Sequence, residues 1–272
     1  MLQMTHLGGP TVLLQLGSWR ILTDPTFDPP GNTYAFGWGT GSTKTTGPAL
    51  AREALAPVDV VLLSHDHHAD NLDQLGRALL PEVGTVLTTR AAARRLPGGV
   101  NAVGLAPGAT HTLRAPGKQT LTIRATPCRH GPPLSTPIVG AVIGFSVTLD
   151  DHDTVTVWMT GDTVLHRPVR QLAKRLDVDV LLIHLGRVRF PTTGRLRYSM
   201  DGTDALQLAK LLEPRVVVPV HYEGWSHFSE PTTALRATLA GANPTIARLF
   251  HWLEPGAATE FDTDPTRRHE LQ

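Results

Sequence analysis

The sequence predicts an α/β fold with two sheets face to face and helices on the outside. Two observations point to it. Short apolar, partly β-branched runs of strand length recur in two groups, each followed by helical segments. The chain also has 272 residues with 41% hydrophobic content, enough to bury a full core. We read residues 1–262 as one domain and 263–272 as a disordered tail.

Taken in order, residues 2–6, 11–16 and 19–23 read as a strand meander, with Gly17-Ser18 as a tight turn. Residues 29–48 form a long loop rich in Gly and Thr with interspersed aromatics, and loops of that length are usually functional or mobile. Residues 48–55 suggest a short helix with proline in its first turn, and 71–80 another. Besides the strand at Val60-Val61-Leu62-Leu63, strands are expected at 85–88, 110–114, 119–126, 138–149, 153–159, 177–184 and 215–220. Helices are expected at 89–95, 166–175, 202–212 and 231–239. No short repeat or low-complexity stretch interrupts them.

The run Val60-Val61-Leu62-Leu63 empties at once into Ser64-His65-Asp66-His67-His68-Ala69-Asp70-Asn71, three imidazoles and two carboxylates at a strand end. His65 and His67, at i and i+2, are placed to share one ion, and neutral imidazole is the commonest protein ligand for Zn²⁺. Three later strands end the same way: one leads to His130, one to Gly161-Asp162, one to His221-Tyr222. One such residue is usually a surface group; four in one chain point to a metal centre.

His-x-His, then His130, Gly-Asp162 and His221, spread over nearly the whole chain, resembles the metallo-β-lactamase superfamily. The opening Thr5-His6-Leu7-Gly8-Gly9 and the later Thr23-Asp24-Pro25 are similar to its first hairpin and Asp-Pro turn. The likeness is strongest to the branch containing ascorbate-6-phosphate lactonase and the phospholipase D acting on N-acyl phosphatidylethanolamine. The resemblance implies a four-layer αββα sandwich. It also implies one ion on His65, His67 and His130, and a second on Asp70, Asp162 and His221 with Asp162 bridging. Water acidified by two dications to a pKa near ~7 would supply hydroxide at neutral pH.

The chain departs from the superfamily's His-x-His-x-Asp-His pattern. Ala69 stands where the acid is expected, and Asp70-Asn71 follow one step later. Either the turn carries an extra residue and Asp70 still reaches the metal, or the second site is impaired. Asn71 offers a neutral amide oxygen in place of an imidazole, a weaker donor for zinc. His68 and Asp66 are the neighbours that could compensate, and Mn²⁺ becomes an alternative to Zn²⁺ in a site that holds one or two ions.

Other residues enter with two readings each. Asp24 is either a turn residue or a carboxylate orienting a metal-bound histidine. His184 either lines the pocket or is a satisfied core histidine. Tyr222 and His227 follow His221 closely enough to give a proton to a leaving group, and with Asp70 and His221 they are the candidate catalytic residues. Trp225 is as consistent with packing as with substrate contact. Arg187, Arg189, Arg195, Arg197 and Lys44 would suit an anionic substrate or simply a solvated face. Cys128, the one cysteine, excludes an internal disulfide and reads as a packed thiol.

With 25 basic against 24 acidic residues, no charge excess draws the chain to nucleic acid or anionic membrane. No signal peptide or spanning helix is visible at the N-terminus, so a cytoplasmic location is expected; a homo-oligomer is left open. Two function classes follow. One is a hydrolase using metal-activated hydroxide on an ester, lactone or phosphodiester of a small substrate. The other is a metal-binding sensor or degenerate homologue without efficient turnover.

Overall fold

The computed structural model describes residues 1–150 and 154–263; all but the first residue of the expected tail lie outside the described residues. The chain starts with the expected meander, β1 (Leu2–Gly8), β2 (Thr11–Leu16) and β3 (Trp19–Thr23). The long loop then forms a hairpin that the sequence did not announce, β4 (Thr33–Gly37) and β5 (Thr40–Thr43). β6 (Val60–Leu62), β7 (Thr85–Thr89) and β8 (Ala102–Leu105) extend the meander as parallel strands beyond β3. Next come β9 (Thr110–Leu113), β10 (Leu121–Pro127), β11 (Ile143–Leu149), β12 (Val155–Met159), β13 (Val178–His184), β14 (Val216–Val220) and β15 (Ala258–Phe261). Among the described residues one sheet runs β15-β1-β2-β3-β6-β7-β8 and the other β14-β13-β12-β11-β10-β9.

Side-chain alternation holds the sheets together. Along β6, Val60 and Leu62 enter the core between the sheets, while Val61 and Leu63 face the outer layer. Along β13, Val180 and Leu182 point between the sheets, and Leu181, Ile183 and the following Leu185 point outward. Each fully buried aliphatic side chain of this core contributes roughly 1.5–3 kcal/mol.

The outer layers are helical. α1 (Gln74–Leu79) and α2 (Arg90–Arg95) belong to the first half, with Asp73 and Thr89 as their N-caps. The one-turn α3 (Thr136–Val139) follows β10. α4 (Arg167–Ala173), α5 (Gly202–Leu212), α6 (Thr232–Ala240) and α7 (Pro244–Ala247) come later, and α4, α5 and α6 cover the outer face of the second sheet through Val169, Leu208 and Leu235. The result is the αββα layering.

Three expected elements change. The helix at 48–55 shrinks to a 3₁₀ turn, Arg52–Ala54, because the Ala49 amide donates to Leu7 C=O of β1 at 2.8 Å instead of starting a helix. The strand expected from 138 begins only at Ile143, after α3 ends on Gly140 at φ +75°. The helix at 71–80 begins at Gln74, where the Asp73 carboxylate caps it. No helix of the described residues is long and apolar enough to cross a membrane.

Candidate metal centre

The strand ends deliver their polar residues to one place. His65 follows β6, His130 follows β10, Asp162 follows β12 and His221 follows β14. Two buried groups of donor atoms result: His65, His68 and His130 in one, and Asp70, Asp162 and His221 in the other, with all chosen donors of a group within 4.8 Å of one another.

The first group differs from the expected set. His65 Nε2 lies 3.1 Å from His68 Nδ1, whereas the His67 ring turns to Val139 C=O and rests on Gly140, where a Cβ would collide with it. The extra residue of the motif therefore falls between the two histidines. Counted back from Asp70, His68 holds the His-x-Asp spacing, the sequence signal that could have selected it. Asp66 points away, into an ion pair with Arg95.

The rings are anchored through their other nitrogens. Ser64 Oγ is 2.9 Å from His65 Nδ1, Tyr198 C=O is 2.7 Å from His130 Nδ1, and Leu185 C=O is 3.3 Å from His221 Nδ1. The two carbonyls oblige Nδ1 of His130 and His221 to donate, which turns Nε2 to the metal side, while the Ser64 hydroxyl, able to donate or accept, holds the His65 ring in place. His221 itself takes a left-handed φ of +57°, a conformation uncommon outside glycine and concentrated at functional sites.

In the second group Asp70 Oδ2 lies 3.2 Å from His221 Nε2 and 3.0 Å from His227 Nε2, and Asp162 Oδ2 lies 3.4 Å from His221 Nε2. The irregular motif thus brings Asp70 to this group. His227 is held on its other side by Ser42 Oγ, 2.5 Å from Nδ1, and stacks on Phe190 at 5.5 Å.

The electrostatics fit divalent cations. Burial keeps His65 and His68 well below the ordinary imidazole range and His130 down to about 4, so all three are neutral. Burial pushes Asp162 up to about 7 against the pull of His221. For Asp70, burial is outweighed by the hydrogen bonds from His221 and His227, which keep it well below the usual carboxylate range. Asp70 Oδ1 and both Asp162 oxygens are buried without a hydrogen-bond partner. Orphaned carboxylate oxygens are costly in a dry interior, and cations on them remove the cost. Three imidazoles beside a carboxylate–imidazole set form a donor set for zinc and similar ions.

Other expected residues are elsewhere. Tyr222, expected as a proton donor, lies elsewhere: its ring packs edge-on to Trp252 at 5.1 Å in the outer helical layer. The chain leaves β14 through the left-handed His221, and the next side chain goes to the opposite face. Trp225 packs against Tyr34 at 5.4 Å, under Lys44. Lys44 makes a buried ion pair with Asp73 at 2.8 Å, so it is not a free anion anchor. Arg197 is paired with Asp201 and Asp204, and Arg187 lies 3.9 Å from Asp201. The Cys128 thiol donates to Thr160 C=O at 3.0 Å, and burial and Asp162 raise its pKa well above the ordinary value. Asp24 accepts from the Ser64 amide at 2.6 Å and from Asn71 Nδ2 at 3.2 Å, bracing the motif from behind.

The hairpin β4–β5 lies over the centre. Phe36 stands 5.0 Å from the His68 ring and meets Phe190 and His227 edge-on. Phe36, Phe190, Tyr198 and Val139 enclose a space of about 50 Å³ beside His68 and His130. A wider cleft of about 520 Å³, lined by Arg189, Phe190, Ser226, His227 and Ser229, opens to solvent. Sequence reading had singled out neither Phe36 nor Phe190, since single aromatics in loops carry no periodic signal.

The profile of the beta-lactamase superfamily domain matches residues 19–222. The chain belongs to the metallo-β-lactamase superfamily. A UPF0173 metal-dependent hydrolase of Pelotomaculum thermopropionicum is 25% identical over 268 residues, 96% of this chain and 100% of the relative. Among solved members of the fold, a possible metal-dependent hydrolase from Veillonella parvula DSM 2008 superposes with a TM-score of 0.79 at 21% identity, covering 95% of this chain and 99% of that one. An isothiocyanate hydrolase from Delia radicum gut bacteria gives a TM-score of 0.78 at 21% identity with the same coverage. At such identities these two structures speak for the superfamily fold alone.

Proposed function

We propose that this metal-dependent hydrolase cleaves an ester, lactone or phosphodiester bond of a small substrate, with two zinc ions, or manganese at the second site. The observation that carries the reading is the pair of buried donor groups side by side, with unpartnered carboxylate oxygens between imidazoles. His65, His68 and His130 would hold one ion, Asp70 and His221 the other, and Asp162 would bridge. When bound, such ions acidify water towards a pKa near ~7 and polarise the scissile group.

The chain's own residues do the rest. The Tyr198 and Leu185 carbonyls orient His130 and His221 through Nδ1–H, and the Ser64 hydroxyl holds the His65 ring. His227, kept below the ordinary imidazole range by burial, is neutral and holds Asp70 in place through Nε2–H. Phe36, Phe190 and Tyr198 wall the centre against bulk water, which strengthens every charge interaction inside it. Arg189, bonded to Gly194 C=O at 3.0 Å on the wall of the open cleft, is the cation placed to meet a carboxylate or phosphate of the substrate.

The test is a panel of esters, phosphodiesters, lactones, β-lactams and isothiocyanates, the last because one structural neighbour is named for them. Zinc- or manganese-loaded protein should turn over one of the ester, lactone or phosphodiester classes. His65→Ala should abolish that turnover and Cys128→Ala should leave it. Turnover confined to β-lactams or isothiocyanates, or unchanged in His65→Ala, would refute the reading.

A further inference from the structure

Phe190 divides the surroundings of the centre into two spaces of opposite character. On one side its ring stacks on His227 and walls the open cleft that carries Arg189, Ser226 and Ser229. On the other it meets Phe36 at 6.1 Å and Tyr198 at 5.6 Å, and walls the space of about 50 Å³ beside His68 and His130. No Lys, Arg, Asp or Glu lines that second space. Its two threonine hydroxyls are turned to backbone, Thr40 to Gly37 C=O at 2.6 Å and Thr193 to Phe190 C=O at 3.1 Å. Two exposed apolar residues complete it: Trp38, at the tip of the β4–β5 hairpin, is 77% exposed, and Ile138 of α3 is 53% exposed. The tip holds Trp38 there with three left-handed residues in a row, Gly37 at φ +88°, Trp38 at +55° and Gly39 at +71°. A bulky side chain keeps that conformation only where its surroundings impose it, and such residues concentrate at ligand sites.

We propose that this space receives an uncharged alkyl group of the substrate, next to the bond that is cleaved, while the charged part of the substrate stays in the cleft of Arg189. This rests on the hydrolase reading above and narrows it to substrates with one apolar end. His68 and His130 form part of the wall, so a group seated there lies beside the first ion and hence beside the scissile bond. Pockets of this type bind through aromatic and aliphatic walls, and a charge placed in one loses its water without gaining a partner. On the scale where an apolar cavity of ~150 Å³ takes benzene, a space of about 50 Å³ suits roughly two carbons. A longer chain runs out between Trp38 and Ile138, which belong to none of the buried apolar clusters of the described residues. Phe36, edge-on to Phe190 and 5.0 Å from the His68 ring, is the wall that faces the inner carbons.

The experiment measures binding, so its outcome does not depend on which bond is cut. The full chain, loaded with zinc, is titrated by calorimetry with hydroxamates that share one metal-binding head and differ in their chains. They are acetohydroxamate, butyrohydroxamate, hexanohydroxamate and β-hydroxypropionohydroxamate, the hydroxyl isostere of the butyryl compound. A buried methylene is worth about four-fold in affinity, so the butyryl compound should bind roughly 10-fold tighter than the acetyl one. The hexanoyl compound should gain about three-fold more over the exposed rim, and the hydroxyl isostere should lose the butyryl gain. Phe36→Ala should cut the first step below about three-fold and Ile138→Ser should remove the second, with zinc content unchanged in both. Equal affinity across the parent series, an isostere as tight as the butyryl compound, or steps that survive Phe36→Ala would overturn the inference and leave the hydrolase reading standing. Steps lost in Arg189→Met instead would put the alkyl group in the open cleft and overturn it as well. No binding of any hydroxamate to zinc-loaded protein would overturn the metal reading itself. If Phe36→Ala does not retain zinc, Ile138→Ser, at an exposed position, decides through the hexanoyl step: its loss supports the inference and its survival overturns it.

Discussion

His65 Nε2 and His68 Nδ1 lie 3.1 Å apart, so the imidazole partnering the first histidine of the motif is three residues on, not two. The superfamily spacing is stretched by one residue inside the turn, and this slip brings both His68 and Asp70 to the centre.

His68→Ala should therefore remove the first ion, while His67→Ala, whose ring rests on Gly140, should keep it. Metal analysis of protein purified without chelator reads the difference directly. The reverse pattern would restore the uninterrupted His-x-His pair.

Asp70→Ala should strip the second ion selectively. Its carboxylate lies against His221 and His227, and no first-group histidine shares its hydrogen bonds. Zinc content should fall from two to about one per chain, with the His65, His68 and His130 site occupied. Unchanged metal content accompanied by a stability loss of roughly 0.3–1 kcal/mol would make Asp70 a mere helix-start carboxylate.

The metal-free chain should respond to pH through His221. Burial pulls this imidazole down, but Asp162 and Asp70 outweigh it and raise it from 6.5 to about 9. A raised pKa gives stability that is present below about 6.5 and lost as pH rises through about 9. Melting temperature without metal should fall across that window, and added Zn²⁺ should reverse the fall. Because the ion must displace the proton, binding at pH 7 should release about one proton per second-site ion, measurable by calorimetry in buffers of different ionisation heat. Buffer-independent heats would exclude His221 as the ligand.

Lys44→Met should destabilise the fold without touching the metals. The Lys44 ammonium and the Asp73 carboxylate are both buried, at 3% and 0% exposure, and meet at 2.8 Å. Removing one partner of such a pair costs about 3–5 kcal/mol. Denaturant unfolding should show this loss with metal content unchanged. A stable variant with a raised KM for an anionic substrate would instead make Lys44 a substrate anchor.

The sequence by itself determined the types of donor and the strands that carry them. Short apolar, partly β-branched runs stop just before His65, His130, Asp162 and His221, and a strand end has to release its next polar residue from the core. Two groups of such strands with helices after them suggested two sheets face to face, and the resemblance to the superfamily implied the four-layer sandwich. Tertiary structure decided which neighbour in each cluster faces inward. In the turn after β6 no backbone period dictates direction, so His68 rather than His67 meets His65 only because α3 brings Val139 and Gly140 against the His67 ring. Tyr222 turns outward because His221 takes a left-handed backbone. Asp70 meets His221 across 151 residues, and His184 meets Asn71 at Asp24 across the sandwich. These contacts depend on how the two sheets pack, and no local pattern of side chains encodes that distance.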